Sequence, residues 1–264
     1  MVPVSQEHSF YDDPDLYDRV STPPAASIDF YVELARHSQG DVLELACGTG
    51  RVTIPIAQAL AHSGRSVTGL DLAPAMLDSA RTKWPIAGVA PDLVSGDMRR
   101  FALGRRFGLI FVAFNSLLHL TTNEALAHCF ACVREHLAPG GTFAFDVFNP
   151  NVSMLARSPA ERTTVVRLPD ATLGEIHVEA SMDYDAATQV NRSTFHFSAP
   201  GRPDYMTAPI HLRSLFPLEL PLLLSANGYR LEARYGDFGG EPFGSGSARQ
   251  VCICRVADAT PPSR

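Results

Sequence analysis

The chain has 264 residues, 45% of them apolar and 19% charged, which excludes disorder along its whole length, because a disordered chain carries fewer core formers and more net charge. That length suits one large domain or a domain carrying a substantial insertion. With 22 basic against 28 acidic side chains the formal charge is −6, which argues against a duplex-binding surface built to neutralise phosphates.

In chain order, the breakers Ser21 to Pro24 precede Ile28, Tyr31, Val32 and Ala35 at helical spacing, predicting a leader helix over 25–37. The run Asp41 to Ala46 predicts a strand that enters glycines, and residues 51–61 a helix. A second strand is expected over 66–70, with a helix over 74–83 whose proline sits in the first turn, where a missing N–H costs nothing. Residues 93–95 and 109–113 read as further strands, 124–137 as a helix, Pro139-Gly140-Gly141 as a stop and 142–148 as a fifth strand. Strands alternating with helices predict a parallel sheet covered on both faces. From about Glu161 to Arg213 the period changes to two: Ile176, Val178, Ala180 and Met182 alternate with His177, Glu179, Ser181 and Asp183, and a turn at 185–189 leads to a partner strand through Phe195 and Phe197. This is an antiparallel insert. A helix over 217–226 closed by Asn227-Gly228, strands over 229–235 and 250–256, and a frayed tail from Ala257 complete the chain.

The strongest chemical signal is Val42-Leu-Glu44-Leu-Ala46-Cys47-Gly48-Thr49-Gly50-Arg51, which ends a strand and opens a helix. Glycines there allow backbone conformations that side chains forbid and let a ligand lie against the helix N-terminus. The dinucleotide fingerprint needs a third glycine, but Arg51, Val52 and Thr53 follow instead. Glu44 would repel a phosphate and suits a ligand with a cationic group. Asp71 ends the second strand, where a carboxylate can accept ribose hydroxyl protons.

At these residues the sequence resembles the class I S-adenosylmethionine-dependent methyltransferases. The likeness extends to Gly69-Leu-Asp-Leu-Ala-Pro-Ala-Met76, to Ser95-Gly96-Asp97-Met98 and to Phe114-Asn115-Ser116-Leu117-Leu118-His119. It implies a single Rossmann-like α/β domain: a mostly parallel seven-stranded sheet with helices on both faces, a lid or helix over 1–37 and an antiparallel insert over 153–213 covering the acceptor site. It further implies that S-adenosylmethionine is held by Tyr17, Glu44, Ala46, Gly48, Thr49, Gly50, Arg51, Asp71, Leu72, Met76, Gly96, Asp97, Met98 and Phe114. Within that set Asp71 would meet the ribose, Met76 would pack on the adenine and Asp97 would accept from its amino group. Asn115, His119 and Tyr17 would stand at the methyl end. The segment after the fourth strand departs from the Asn/Asp-Pro-Pro-aromatic tetrad of enzymes that methylate exocyclic amines of bases, which, with the acidic charge, counts against nucleic acid. Phe10-Tyr11-Asp12, Tyr17-Asp18 and the insert look like small-molecule enzymes of the glycine or aminosugar N-methyltransferase kind, in which an N-terminal tyrosine closes over the donor. A small-molecule methyl acceptor and a homodimer are the partners expected.

Simpler readings stand beside these. Glu44 and Asp71 can cap local helices. His119 is either a general base, given a reference pKa near 6.5, or a residue lining the pocket; methyl transfer from a sulfonium needs alignment above all. Cys129 and Cys132 have zinc-like spacing, yet on a helix they read as buried thiols and no metal is expected. Arg99, Arg100, Arg105 and Arg106 read as a solvated run or as a patch for an anionic acceptor. Either face of the insert can cover the pocket or support a dimer. A nicotinamide oxidoreductase and a non-catalytic S-adenosylmethionine-binding regulator remain alternatives. The longest apolar run, Leu109 to Phe114, is far shorter than the roughly 20 residues of a membrane-spanning helix. The opening residues carry no secretory pattern and the five cysteines are odd in number, so a cytoplasmic location is expected.

Overall fold

The computed structural model describes residues 6–7, 9–87 and 90–257; the expected fraying beyond Ala257 concerns residues outside them. The chain opens with a two-residue strand, β1 (Gln6–Glu7), and helix α1 (Pro14–Val20), where the Asp13 carboxylate caps the N-terminus by accepting from the Leu16 N–H at 2.9 Å. Next come α2 (Ala25–His37), β2 (Val42–Leu45), α3 (Thr53–Leu60), β3 (Val67–Asp71), α4 (Pro74–Ala87), β4 (Asp92–Ser95) and β5 (Phe107–Val112). A 3-10 turn (Ser116–His119) leads to α5 (Asn123–His136) and β6 (Leu137–Phe148). After the single turn α6 (Val152–Leu155) follow β7 (Thr163–Asp170), β8 (Gly174–Asp185), β9 (Val190–Ala199) and β10 (Arg202–Arg213). The chain closes with α7 (Glu219–Ala226), β11 (Tyr229–Tyr235) and β12 (Arg249–Val256).

Most expected elements are present with boundaries moved by a few residues. The sequence pattern does not predict β1 or α1, both too short to develop a period. β6 starts at Leu137, earlier than expected, because Leu137 pairs with Phe107 before the register with β5 shifts and resumes at Leu109↔Thr142.

The chain divides into two compact units. One combines Met1–Thr22 with Asn151–Ser214, the other Pro23–Pro150 with Leu215–Arg264. The leader expected over 1–37 is therefore shared, its first part belonging with the insert and α2 with the parallel sheet.

In the first unit the strand order is β1-β10-β9-β8-β7, antiparallel except that β1 runs parallel to β10. Val178 and Phe197 are fully buried, and Ile176, Leu168, Ala208 and Ile210 join them against Phe10 and Val20. Phe10 stacks on Phe195 with centroids 4.9 Å apart. The aromatic face of the insert, whose direction the alternation alone leaves open, is thus covered by the chain's own residues 10–20.

In the second unit the order is β11-β12-β6-β5-β2-β3-β4; β12 runs antiparallel to β6 and β11, and the other neighbours are parallel. Alternation sends Val42, Leu109, Phe111 and Ala144 into a cluster with Tyr31 of α2 and Ile56 and Leu60 of α3. The next residue on β6, Phe143, meets Phe130 of α5 and Tyr229 of β11 on the opposite face. Both faces are dry, as a parallel sheet requires. The strand order reverses between β2 and β5, and ligands of open α/β sheets bind beyond the carboxyl ends of the strands at such a point.

Candidate active site

Four consecutive loops of the second unit carry most of the expected site residues: the β2–α3 turn, the β3–α4 junction, the loop after β4 and the segment after β5. Because β5, β2, β3 and β4 are parallel neighbours, these loops line one edge of the sheet. They are also bonded to one another: the Cys47 N–H donates to Leu70 O at 3.0 Å, the Gly48 N–H to Asp71 Oδ2 at 2.7 Å and the Gly96 N–H to Asp71 O at 2.9 Å.

At the β2 turn, Ala46 has φ 55°, Gly48 54° and Gly50 79°. Left-handed backbone costs a side-chain-bearing residue about 1–2 kcal/mol, and Ala46 bears that strain between the strand and the glycines. A Cβ at Gly48 would meet nothing within 4 Å, whereas one at Gly50 would lie 3.0 Å from Ile54 Cδ1 and 3.3 Å from Ala80 Cβ. Gly48 leaves open space, and Gly50 lets α3 and α4 approach. Thr49 is buried, and Arg51 is half-buried at the start of the following turn.

Glu44 faces α3 and is 2% exposed. Its Oε2 accepts from the Thr53 hydroxyl, and the Thr53 backbone N–H also stabilises the charged form, so it caps a helix that lacks a side-chain cap at Val52. Burial nevertheless pushes its pKa up to about 8, with nearby Asp71 adding to the rise. The Asp71 carboxylate, also raised by burial, accepts from the N–H groups of Gly48 and, at 2.8 Å, Ala73. Both acids cap local backbone, as the simpler reading expects. A carboxylate has about four acceptor positions, so neither is saturated by these bonds.

Of the apolar pair near β3, Met76 is 1% exposed and Leu72 is 66% exposed. Met76 thus belongs to the packing beneath the turn, and Leu72 is the apolar side chain left open. Beyond β4, Asp97 is gripped by Arg99, whose Nε and Nη2 donate to Asp97 Oδ2 at 2.9 and 2.6 Å; this guanidinium holds the carboxyl below its ordinary range. Met98 is half-buried beside it.

After β5, Phe114 and Asn115 are both left-handed, at φ 55° and 63°. Consecutive strain of this sort persists only where its surroundings impose it. Both of their N–H groups are held by Asp146 on β6. Its Oδ1 accepts from the Phe114 N–H at 2.8 Å and its backbone carbonyl from the Asn115 N–H at 3.2 Å. His119 ends the 3-10 turn, and burial pushes its imidazole down to about 4, so it is neutral throughout the physiological range. Tyr17 belongs to the first unit, where its ring lies 5.4 Å from Phe10 and 5.7 Å from Tyr11.

A profile described as a methyltransferase domain matches residues 42–141, the stretch that runs from β2 into β6. The dTDP-3-amino-3,4,6-trideoxy-alpha-D-glucopyranose N,N-dimethyltransferase of Streptomyces venezuelae is 30% identical over 204 residues, 72% of this chain and 76% of the relative. The chain belongs to the S-adenosylmethionine-dependent methyltransferases.

A second relative in this family, the dTDP-3-amino-3,6-dideoxy-alpha-D-glucopyranose N,N-dimethyltransferase of Streptomyces fradiae, is 32% identical over 163 residues, 56% of this chain and 61% of its own. Among solved structures, the CcbJ methyltransferase from Streptomyces caelestis superposes with a TM-score of 0.80 at 28% identity, covering 95% of this chain and 99% of that one. The nicotinamide alternative is thereby set aside. The methyltransferase cofactor suits the strand edge: two buried carboxylates favour a ligand bearing an ammonium and hydroxyls over a pyrophosphate, and the open space at Gly48 admits it against backbone. Among the described residues no group of three or more His, Cys, Asp or Glu side chains could hold a metal ion. Cys129 is fully buried in α5, and the Cys132 thiol donates to Arg99 O at 3.3 Å.

Sequence reasoning missed Thr53, Tyr31, Asp146 and Arg249. The available signal for Asp146 was one charge inside the apolar strand Thr142-Phe-Ala-Phe-Asp-Val-Phe148.

Proposed function

We propose that this methyltransferase moves a methyl group to the nitrogen of a small-molecule amine, in the manner of an aminosugar N-methyltransferase. The observation that carries the proposal is the pair of buried carboxylates at the glycine turn beside the strained Phe114–Asn115 segment. S-adenosylmethionine supplies an electrophilic methyl group on a sulfonium. Glu44 takes its ammonium, the free lone pairs of Asp71 its ribose hydroxyls, and Ala46, Gly48, Thr49, Gly50 and Arg51 cradle it with backbone. Leu72 covers the base, with Gly96, Asp97 and Met98 at its rim and Met76 supporting from below. Phe114, Asn115 and His119 stand at the methyl end.

His119 is the second point of chemistry. An imidazole pushed down to about 4 is a weak proton acceptor, so its part is to orient an acceptor that arrives as the free amine; alignment of the reacting atoms supplies about 7–11 kcal/mol of such a barrier. The names of the two dTDP-aminosugar enzymes support nitrogen over oxygen. The formal charge of −6 counts against nucleic acid as the acceptor. No helix among the described residues is long and apolar enough to cross a membrane, and a cytoplasmic location accords with the free cysteines. A homodimer is the assembly proposed, supported by β7, which among the described residues pairs with β8 alone and forms a sheet edge.

The test is calorimetric titration with S-adenosylmethionine, S-adenosylhomocysteine and NAD, followed by methyl-transfer assays on amino-, hydroxy- and unsubstituted sugar nucleotides. Micromolar binding corresponds to about −8 kcal/mol and is readily measured. Transfer to the amino compounds alone is the expected result. Turnover on hydroxyl acceptors alone would overturn the nitrogen reading, and binding without any turnover would favour the non-catalytic regulator.

A further inference from the structure

We infer that Asp146 is a positioning residue of the methyl-transfer site: its carboxylate, clamped by Tyr31 and Arg249, sets the left-handed Phe114–Asn115 turn and so holds the Asn115 amide oxygen as an acceptor at the methyl end. The inference rests on the proposed placement of Asn115 beside the donor's methyl group.

Asp146 is wholly buried in an apolar strand, a position where a carboxylate persists only when paired and hydrogen-bonded. Alternation along β6 puts it on the same face as Ala144, toward α2, where the Tyr31 hydroxyl donates to Oδ1 at 2.7 Å. The Tyr31 ring is fixed in turn by stacking on Phe111, with centroids 4.7 Å apart. On β12, Val251 pairs with Asp146 and Arg249 with Phe148; from that diagonal position the Arg249 Nη1 donates to Asp146 Oδ2 at 2.9 Å. Arg249 is itself held over the Phe238 ring, 4.6 Å from its centroid. Two elements, α2 and β12, thus converge on one carboxylate, and the further donor to its Oδ1 is the strained Phe114 N–H.

The arrangement ends at an atom with no partner. Asn115 Oδ1 is buried without a hydrogen bond, one of three such side-chain atoms among the described residues. Leaving a buried acceptor unpaired is costly, yet the Asp146 carboxylate holds the Phe114 N–H and the Asp146 backbone carbonyl the Asn115 N–H, in a conformation that side chains avoid. An oxygen kept open in this way at the carboxyl edge of the sheet suits an N–H donor on a ligand. Its chemical class is an amine or ammonium seated where the methyl group is transferred.

Sinefungin carries an amine-bearing carbon in place of the methylsulfonium, and S-adenosylhomocysteine lacks that group, so the ratio of their dissociation constants reads the acceptor directly. The measurement is calorimetry of both ligands on the full chain, on Tyr31→Phe and on Asp146→Asn. The unaltered protein is expected to prefer sinefungin. That preference should fall about threefold in Tyr31→Phe, which removes one hydrogen bond to the carboxylate and leaves Arg249 on it, and about tenfold in Asp146→Asn, which loses the charged acceptor, while S-adenosylhomocysteine affinity stays within about twofold. Tyr31→Phe keeps the ring on Phe111 and serves if Asp146→Asn does not fold. Equal weakening of both ligands would reduce Asp146 to a structural role and overturn the inference. So would an unchanged ratio in the variants, or no preference in the unaltered protein. Failure of the unaltered protein to bind either ligand would instead strike the cofactor site itself and take the inference with it.

Discussion

The Gly48 N–H donates to Asp71 Oδ2 across 2.7 Å, so the glycine turn after β2 is braced by the carboxylate that ends β3. The same carboxylate accepts from Ala73 ahead of α4 and is 9% exposed. One side chain therefore shapes both the turn and the position proposed for the ribose.

Asp71→Ala should lose both functions. Hydrogen bonds to charged groups contribute about 1.5–3 kcal/mol each, so the dissociation constant for S-adenosylhomocysteine is expected to rise at least about tenfold. Calorimetry checks this, and undiminished affinity would contradict the ribose contact.

Glu44 sets a pH dependence of definite sign. Its folded-state pKa is raised to about 8, so the folded chain holds a proton that the unfolded chain releases. The stability this contributes is present below the unfolded value of about 4.3 and is lost as pH rises toward about 8. Glu44→Gln keeps an acceptor for Thr53 and removes the titration. Thermal unfolding from pH 5 to 8 should show the unaltered protein losing ground to Glu44→Gln as pH rises. Donor affinity should climb with pH over the same range in the unaltered protein alone, because the ammonium favours the ionised carboxylate.

His119 titrates in the opposite direction. Burial holds its imidazole at about 4, below the unfolded value near 6.5, so the unfolded chain binds the extra proton between them and stability is lost as pH falls through that window. The ring signal of His119, assigned by its disappearance in His119→Gln, should stay constant from pH 8 to 5.5 in the ligand-free protein. An inflection near pH 6.5 would restore the case for a general base.

Two glycines separate fold from binding. A Cβ at Gly69 would lie 2.8 Å from Cys47 Sγ and 2.9 Å from Leu93 Cδ2, inside packed β3, so Gly69→Ala is expected to destabilise by about 1–3 kcal/mol through overpacking. At Gly48 the added carbon would meet nothing within 4 Å, and only the φ of 54° opposes it, at about 1–2 kcal/mol. Gly48→Ala should fold and bind S-adenosylhomocysteine poorly. Thermal melts and calorimetry on the two variants distinguish these outcomes.

The residues of the glycine turn, Asp71 and the Phe114–His119 segment were legible as candidates because each lies within a few positions of a strand end, where spacing and residue type speak locally. The alternation of Ile176 and Val178 likewise announced a half-buried strand. Both features follow from short-range chemistry: glycine's conformational freedom and the two-residue period of a strand.

What covers the aromatic face of the insert, which apolar side chain stays open beside β3, and why Phe114 and Asn115 tolerate left-handed backbone were decided only by the tertiary structure. Tyr31 and Asp146 are 115 residues apart and Asp146 and Arg249 are 103 apart, separations to which no local pattern is sensitive. Read in sequence, Asp146 is one charge in an apolar strand. Its role arises because β6 lies between β5 and β12 and faces α2; low dielectric there penalises a lone carboxylate and rewards the three donors that folding delivers to it.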